Sequence, residues 1–264
     1  MSIFPPAQSS PWRLLPYIQA PGDLQMALDR WLLEDYFPRT GRSVLRFYGW
    51  SQPTISLGYL QKSWPNHWRQ LTWQGQSLAL VTRPSGGRAV LHQGGLTYAV
   101  VTGKTGDKRR EIYQHICQFL IQGWGQLGLP LTYGQGGRGY IHNASCFSTA
   151  TVADLVSATG DKLIGSAQRQ TSSALLQHGE MVWNGDRHLF AEVFGQTAPW
   201  QKTIAELTEY PSLPQVLQVL TATAQQHFCC ELHWEPLTPW EWEIVQVKCR
   251  EIRHRPAFSN SPSG

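Results

Sequence analysis

Apolar side chains recur at helical spacing in several stretches of the chain and cluster into short runs between them. Leu24, Ala27, Leu28, Trp31 and Leu32 share one face of a helix that opens after Pro21-Gly22, with Asp23 as its cap, and that Pro38 and Gly41 end. Ile112, Ile116, Phe119, Leu120, Trp124 and Leu127 mark the clearest helix, over 109–127, with Cys117 on its shoulder as packing. Helical periodicity returns after Trp200 and predicts helices over 213–228 and 239–253. Between these, β-prone runs at 43–48, 54–59, 78–82, 97–101, 131–133, 152–158, 162–168, 174–183 and 229–234 read as strands, bounded by turn residues such as Thr159-Gly160-Asp161. The last of them would put Cys229 and Cys230 on opposite faces of a strand. A short helix is expected over 65–70. Long helices against a strand-rich middle predict an α+β fold with a mixed sheet. No internal repeat or linker is visible, so the expectation is one domain over 13–255, with an extended arm at 1–12 and a disordered tail at 256–264.

Composition narrows the partners more than it names them. Charged residues make up only 15% of the chain, against about a quarter in an average globular protein, so uncharged polar side chains must cover much of the surface. Twelve tryptophans and 41% apolar residues exclude a disordered chain. The net charge is +4, and the densest basic run, 104–110, has four cations at a helix entrance, which argues against nucleic acid. No window reaches the roughly 18 apolar residues of a membrane span, and the first residues lack a secretory signal. Five scattered cysteines do not form a disulfide framework, which points to the reducing cytoplasm.

Several motif matches lack their context. Gly134, Gly136 and Gly139 fit G-x-G-x-x-G, but no helix opens after them; Gly103-Lys104-Thr105 resembles the end of a phosphate loop, but Tyr98 stands where its first glycine is required. The nine histidines include no H-E-x-x-H, so no metal site is expected. Trp234, Trp240 and Trp242 are expected in the core rather than as a base-stacking platform.

Two stretches carry candidate chemistry. Arg83-Pro84-Ser85-Gly86-Gly87-Arg88 lies between two strands and is followed by His92. Adjacent glycines allow close backbone approach, and arginines beside bare amides suit a carboxylate, phosphate or acyl head group. A glycine hairpin with solvated arginines is the plain alternative. Cys146 sits among small polar residues ahead of a strand, and Lys162 begins the return of the hairpin. An ammonium near a thiol favours the thiolate that a cysteine nucleophile needs. With 151–158 extended, the two residues are on the order of 20–25 Å apart unless the loop 134–150 folds back.

Taken together, these residues resemble the superfamily of biotin–protein ligases, lipoate–protein ligases and octanoyltransferases. The pieces are Trp50-x-x-Pro53 with Gly58, the run Arg83 to His92, Lys162-x-x-Gly165-Ser166-Ala167-Gln168 and Leu176-Gln177-His178-Gly179, in the family's order over residues 20–200. Gly-Gly-Arg-Ala-Val-Leu-His and the Cys146-Phe147 pair are similar to the cysteine-dependent octanoyltransferases. The resemblance implies a mainly antiparallel mixed sheet flanked by helices and transfer of an octanoyl group from acyl carrier protein, through a Cys146 thioester, to a lysine of a lipoyl-domain or glycine-cleavage H protein. It implies that Lys162 assists Cys146, that amides near Gly165, Ala167 and Gln168 stabilise the oxyanion, and that Arg83, Ser85, Gly86, Gly87, Arg88, His92 and His178 shape the substrate pocket. No metal or nucleotide is then required. The rivals are an ATP- and magnesium-dependent lipoate or octanoate ligase, and a non-catalytic carrier-protein binding module. Gln93 departs from the acidic residue common in relatives, and nothing after residue 200 resembles the accessory domain of the larger lipoate ligases.

Overall fold

The computed structural model describes residues 11–105, 108–134, 154–208 and 211–254. The chain opens with β1 (Trp12–Leu14) and β2 (Ile18–Ala20), then α1 (Gly22–Trp31), a π-turn (Leu32–Tyr36) and α2 (Phe37–Thr40). Next come β3 (Val44–Trp50), β4 (Thr54–Leu57), a 3-10 turn (Asn66–Arg69), and the short β5 (Thr72–Trp73) and β6 (Gln76–Ser77). β7 (Ala79–Thr82), β8 (Val90–His92) and β9 (Leu96–Gly103) lead into α3 (Arg109–Gln126) and β10 (Thr132–Tyr133). β11 (Asp154–Val156), β12 (Lys162–Gln170) and β13 (Ala174–Met181) precede α4 (Arg187–Phe194), α5 (Ile204–Leu207), α6 (Leu213–Phe228), β14 (Leu232–Trp234) and α7 (Pro239–His254).

The strands form a large sheet in the order β10-β11-β12-β13-β9-β3-β1-β14, with β2 beside β3. Its centre, β11 to β3, is antiparallel, whereas β3, β1 and β14 run parallel. A smaller sheet, β7-β4-β8, carries the glycine loop. Helices cover both faces of the large sheet. Ile116, Phe119 and Leu120 of α3 and Val216, Leu220 and Ala224 of α6 pack against Leu45, Phe47, Tyr98, Val100 and Leu175. On the other face Met26, Leu28 and Trp31 of α1 and Val245 of α7 pack against Val44, Tyr48, Ala99, Val101 and Leu176. Fully burying each large apolar side chain contributes about 1.5–3 kcal/mol, which explains why two helices per face hold so uncharged a chain together. The expected α+β class and mainly antiparallel sheet with flanking helices are what the chain forms.

The exceptions have local causes. The first helix continues past Trp31 through a π-turn that seats Leu32, Leu33 and Tyr36 in the core; Pro38 falls in the first turn of α2, where its missing N–H costs little, and Gly41 ends the run at φ +64°. Trp12, the last residue of the expected arm, lies in β1, while residues 1–10 and the expected tail at 256–264 lie outside the described residues. Cys229 is not in a strand: it caps α6 at φ +51°, and β14 starts three residues later. Trp234 and Trp240 are not core residues but 67% and 55% exposed, and Arg39 lies over the Trp240 ring. No described helix is long and apolar enough to cross a membrane.

Candidate active site

Cross-strand register puts the site on the α1 face of the sheet. Gly165, Glu180, Thr97 and Tyr48 stand in one row across β12, β13, β9 and β3, and Ala167, His178, Ala99 and Arg46 in the next. Small residues on β12 and β9 leave a trough between the taller side chains. Met26, Tyr48, Trp50 and Val90 wall this cleft, which is about 50 Å³ in volume, and Lys162 and Asp154 lie at its β11–β12 end.

Lys162 is 2% exposed, and its Nζ lies 2.9 Å from Oδ2 of the buried Asp154. This is no solvated turn lysine. The turn before it is fixed by side chains: Asp161 accepts from Thr159 Oγ1 at 2.6 Å and from the Gln201 amide, with Gly160 at φ +87°.

Two histidines face the cleft, and each is held by a serine and a carboxylate. His92 Nδ1–H donates to Glu180 at 2.8 Å, which leaves Nε2 to accept from Ser56 Oγ at 2.8 Å. Thr97 also donates to Glu180, Trp50 Nε1 donates to Thr97 Oγ1 at 2.8 Å, and the Trp50 ring stacks on His92 at 3.8 Å. Burial, the largest influence, pushes the His92 pKa below its ordinary value against the pull of Glu180, so the ring is held neutral. His178 Nδ1–H donates to Asp29 at 2.7 Å and its Nε2 accepts from Ser85 Oγ at 2.5 Å. Burial raises the pKa of Asp29, but Arg46, His178 and the Tyr48 hydroxyl at 2.9 Å outweigh it and hold the carboxyl below its ordinary range. Arg46 approaches Asp29 to 3.3 Å as an ion pair without hydrogen-bond alignment. Both arrangements share the connectivity of a serine–histidine–acid triad. Ser56 and Ser85 are fully buried, however, so they anchor the histidines rather than present a nucleophile.

The glycine loop is fixed from within. Buried Arg83 donates to Ser56 O at 2.8 Å, to Gly86 O at 2.8 Å and to Arg88 O at 2.6 Å. Its guanidinium thus clamps the loop, where the sequence suggested an anion ligand. Gly87 is at φ +92°, and a Cβ on Gly58 would come within 1.8 Å of its carbonyl oxygen, so the Gly58 and Gly87 backbones touch. Gly86 and Arg88 are half-buried. Gln168 turns away from the cleft and donates to Gln177 at 2.7 Å, within a polar cluster that includes Tyr98, Ser166 and Cys117. The role expected of Gln168 belongs to its main-chain amide, on which the direction of the side chain does not bear. Gly165 and Ala167 do line the cleft. Among the described residues β11 accompanies β12 only as far as the pair Asp154–Gly165. Cys146 and the loop 135–153 lie outside the described residues. Gln93 accepts from the Asp186 amide at 2.6 Å, which caps α4, so its departure from an acidic residue leaves the His92 network intact.

The functional candidates that periodicity and motif spacing did not reveal are Asp29, Asp154 and Glu180. Asp29 lay inside the apolar stripe of α1, where a carboxyl beside Leu28 and Leu32 was the available signal.

The family model described as "Biotin/lipoate A/B protein ligase family" matches residues 57–186, from the end of β4 to the cap of α4. The "Octanoyltransferase LipM" of Moorella thermoacetica is 36% identical over 189 residues, which cover 68% of this chain and 68% of that protein. This chain belongs to the biotin/lipoate A/B protein ligase family. The protein of the same name from Carboxydothermus hydrogenoformans is 36% identical over 175 residues, 65% of this chain and 64% of its own length, so the match spans slightly less than two thirds of that relative. Solved structures with this fold include a lipoate-protein ligase A bound with ATP, with a TM-score of 0.76, 18% identity and coverage of 95% of this chain and 97% of that one. A lipoate protein ligase from Thermoplasma acidophilum, described as bi-partite and studied with its E2 lipoyl domain, gives a TM-score of 0.73 at 16% identity over 97% of this chain and all of that one. Arg83, His92, Asp154, Lys162, His178 and Glu180, all of which line the cleft, fall within the matched residues.

Proposed function

We propose that this family member is an octanoyltransferase of lipoate biosynthesis that works through a cysteine thioester. The observation that carries the reading is the 36% identity to octanoyltransferases over about two thirds of the chain. Cys146 Sγ attacks the carbonyl of an octanoyl thioester on acyl carrier protein, the tetrahedral oxyanion collapses, and the carrier thiol leaves with a proton. The amine of a lysine on a lipoyl-domain or glycine-cleavage H protein then attacks the acyl-enzyme and expels the Cys146 thiolate, giving the amide. A lipoyl protein as acceptor is supported at the level of the family, the carrier-protein donor by the chemistry of the thioester route.

Lys162, buried at the polar end of the cleft beside Asp154, supplies a fixed positive charge for the thiolate and the oxyanion. Arg83 and Ser85 hold the glycine loop and His178, and the neutral His92 and Trp50 form the wall along which the acyl chain lies. Gly86 and Arg88 enter through their carbonyls, which hold Arg83 at the edge of the cleft. The chemistry needs neither nucleotide nor metal.

Incubation with octanoyl-carrier thioester tests the reading. It is expected to add about 126 Da to Cys146 and to support transfer without ATP, and Cys146→Ala is expected to abolish both. ATP-dependent lipoylation retained in Cys146→Ala would favour the ligase reading instead.

A further inference from the structure

Beyond the cleft lies a larger groove of about 950 Å³, bordered by α1 and by the segment after β4. Among the described residues only Met26 and Arg83 line both spaces. Arg83 cannot swing aside, because its guanidinium is fixed on the carbonyls of Ser56, Gly86 and Arg88. Met26 is the deformable half of the partition: it is 2% exposed, on α1, and carried on three rotatable bonds. On the far side the groove offers Leu57, Leu80, Val81 and Ile252 to a hydrocarbon chain, with Asp23, Arg30, Lys62 and Arg169 among its other lining residues.

β12 gives the scale. Lys162 begins the strand, Gly165 and Ala167 floor the cleft, and Arg169 already borders the groove. Gly165 to Arg169 is four residues, about 13 Å of extended strand. An eight-carbon acyl chain extends about 1.3 Å per carbon, roughly 10 Å. A chain whose carbonyl lies near Gly165 therefore ends before the groove, and a chain four carbons longer has to pass Met26.

We infer that Met26 sets the acyl chain length this protein accepts, by closing the cleft off from the groove into which longer chains would otherwise extend. The inference rests on the acyl-transfer reading for its substrate, but not for its test.

Binding of free hexanoate, octanoate and dodecanoate to the full chain is measured by calorimetry for the wild type, Met26→Ala and Met26→Phe, with circular dichroism and unfolding curves reporting the fold. Met26→Leu, which conserves volume, serves as the reference for substitution at this position. Met26→Ala is expected to raise the dodecanoate-to-octanoate affinity ratio at least tenfold. Met26→Phe is expected to shift preference towards hexanoate by a similar factor. If Met26→Ala does not fold, Met26→Val and Met26→Phe carry the test. Ratios within twofold of wild type in the folded variants overturn the partition. Failure of octanoyl thioester to acylate Cys146 in the wild type would overturn the transferase reading and leave these ratios to judge Met26 alone.

Discussion

The His92 imidazole is surrounded by Glu180, Ser56 and Trp50, with Arg83 and His178 also acting on its charge, and burial is the strongest influence on it. Its pKa in the folded protein is lowered, whereas in the unfolded chain it titrates near ~6.5. Below that value the unfolded chain takes up a proton that the folded one refuses, so the contribution of His92 to stability is full above about pH 6.5 and is lost as pH falls through the lowered pKa. The stability difference between wild type and His92→Gln, from urea unfolding between pH 7.5 and 5, should therefore shrink towards acid; a pH-independent difference would refute the neutral ring. His92 and Lys162 were legible because they stand in local runs with glycines and arginines. Their partners were not. Asp29 meets His178 across 149 residues of chain, through a register that only the assembled sheet defines.

Hairpins and long helices carry their signals locally, and those were read closely. The β11–β12 turn at Thr159-Gly160-Asp161 and the bounds of α3 and α6 follow directly from turn residues and period. The π-turn was hidden because one extra residue per turn shifts the apolar stripe. α4 was hidden because eight residues with Leu189, Phe190 and Val193 buried show too little period to separate from a loop. At this scale the hairpin turn predicts function. Asp161 is bound by Thr159, Ser157 and the Gln201 amide, and Lys162 follows it directly. Asp161→Ala leaves these donors without their acceptor, at a cost of about 1–3 kcal/mol. It should also lower kcat more than it raises KM, because the hairpin that aims Lys162 loosens. Urea unfolding and steady-state transfer measure the two effects; an unchanged kcat would mean that Lys162 is positioned by β12 alone.

At the scale of the whole molecule, the N-terminal strand and the C-terminal helix close on one buried arginine. Arg13 of β1 meets both carboxylate oxygens of Glu241 in α7 at 2.8 Å, donates to the carbonyls of Glu235 and Pro236, and lies over the Tyr36 ring at the end of the π-turn. α7 in turn packs on α1, which carries Met26 and Asp29 into the cleft. None of this was legible, since Arg13 stands in no local motif and its partner lies 228 residues away. Removing one member of a buried ion pair strands the other, at about 3–5 kcal/mol. Glu241→Ala should therefore lower the Tm of the chain in a single cooperative transition, because β1 belongs to the same sheet as the site and α7 packs on α1. Calorimetry decides between this and a separable C-terminal unit: a second transition at lower temperature, with the main one unmoved, would show that α6, β14 and α7 fold apart from the cleft.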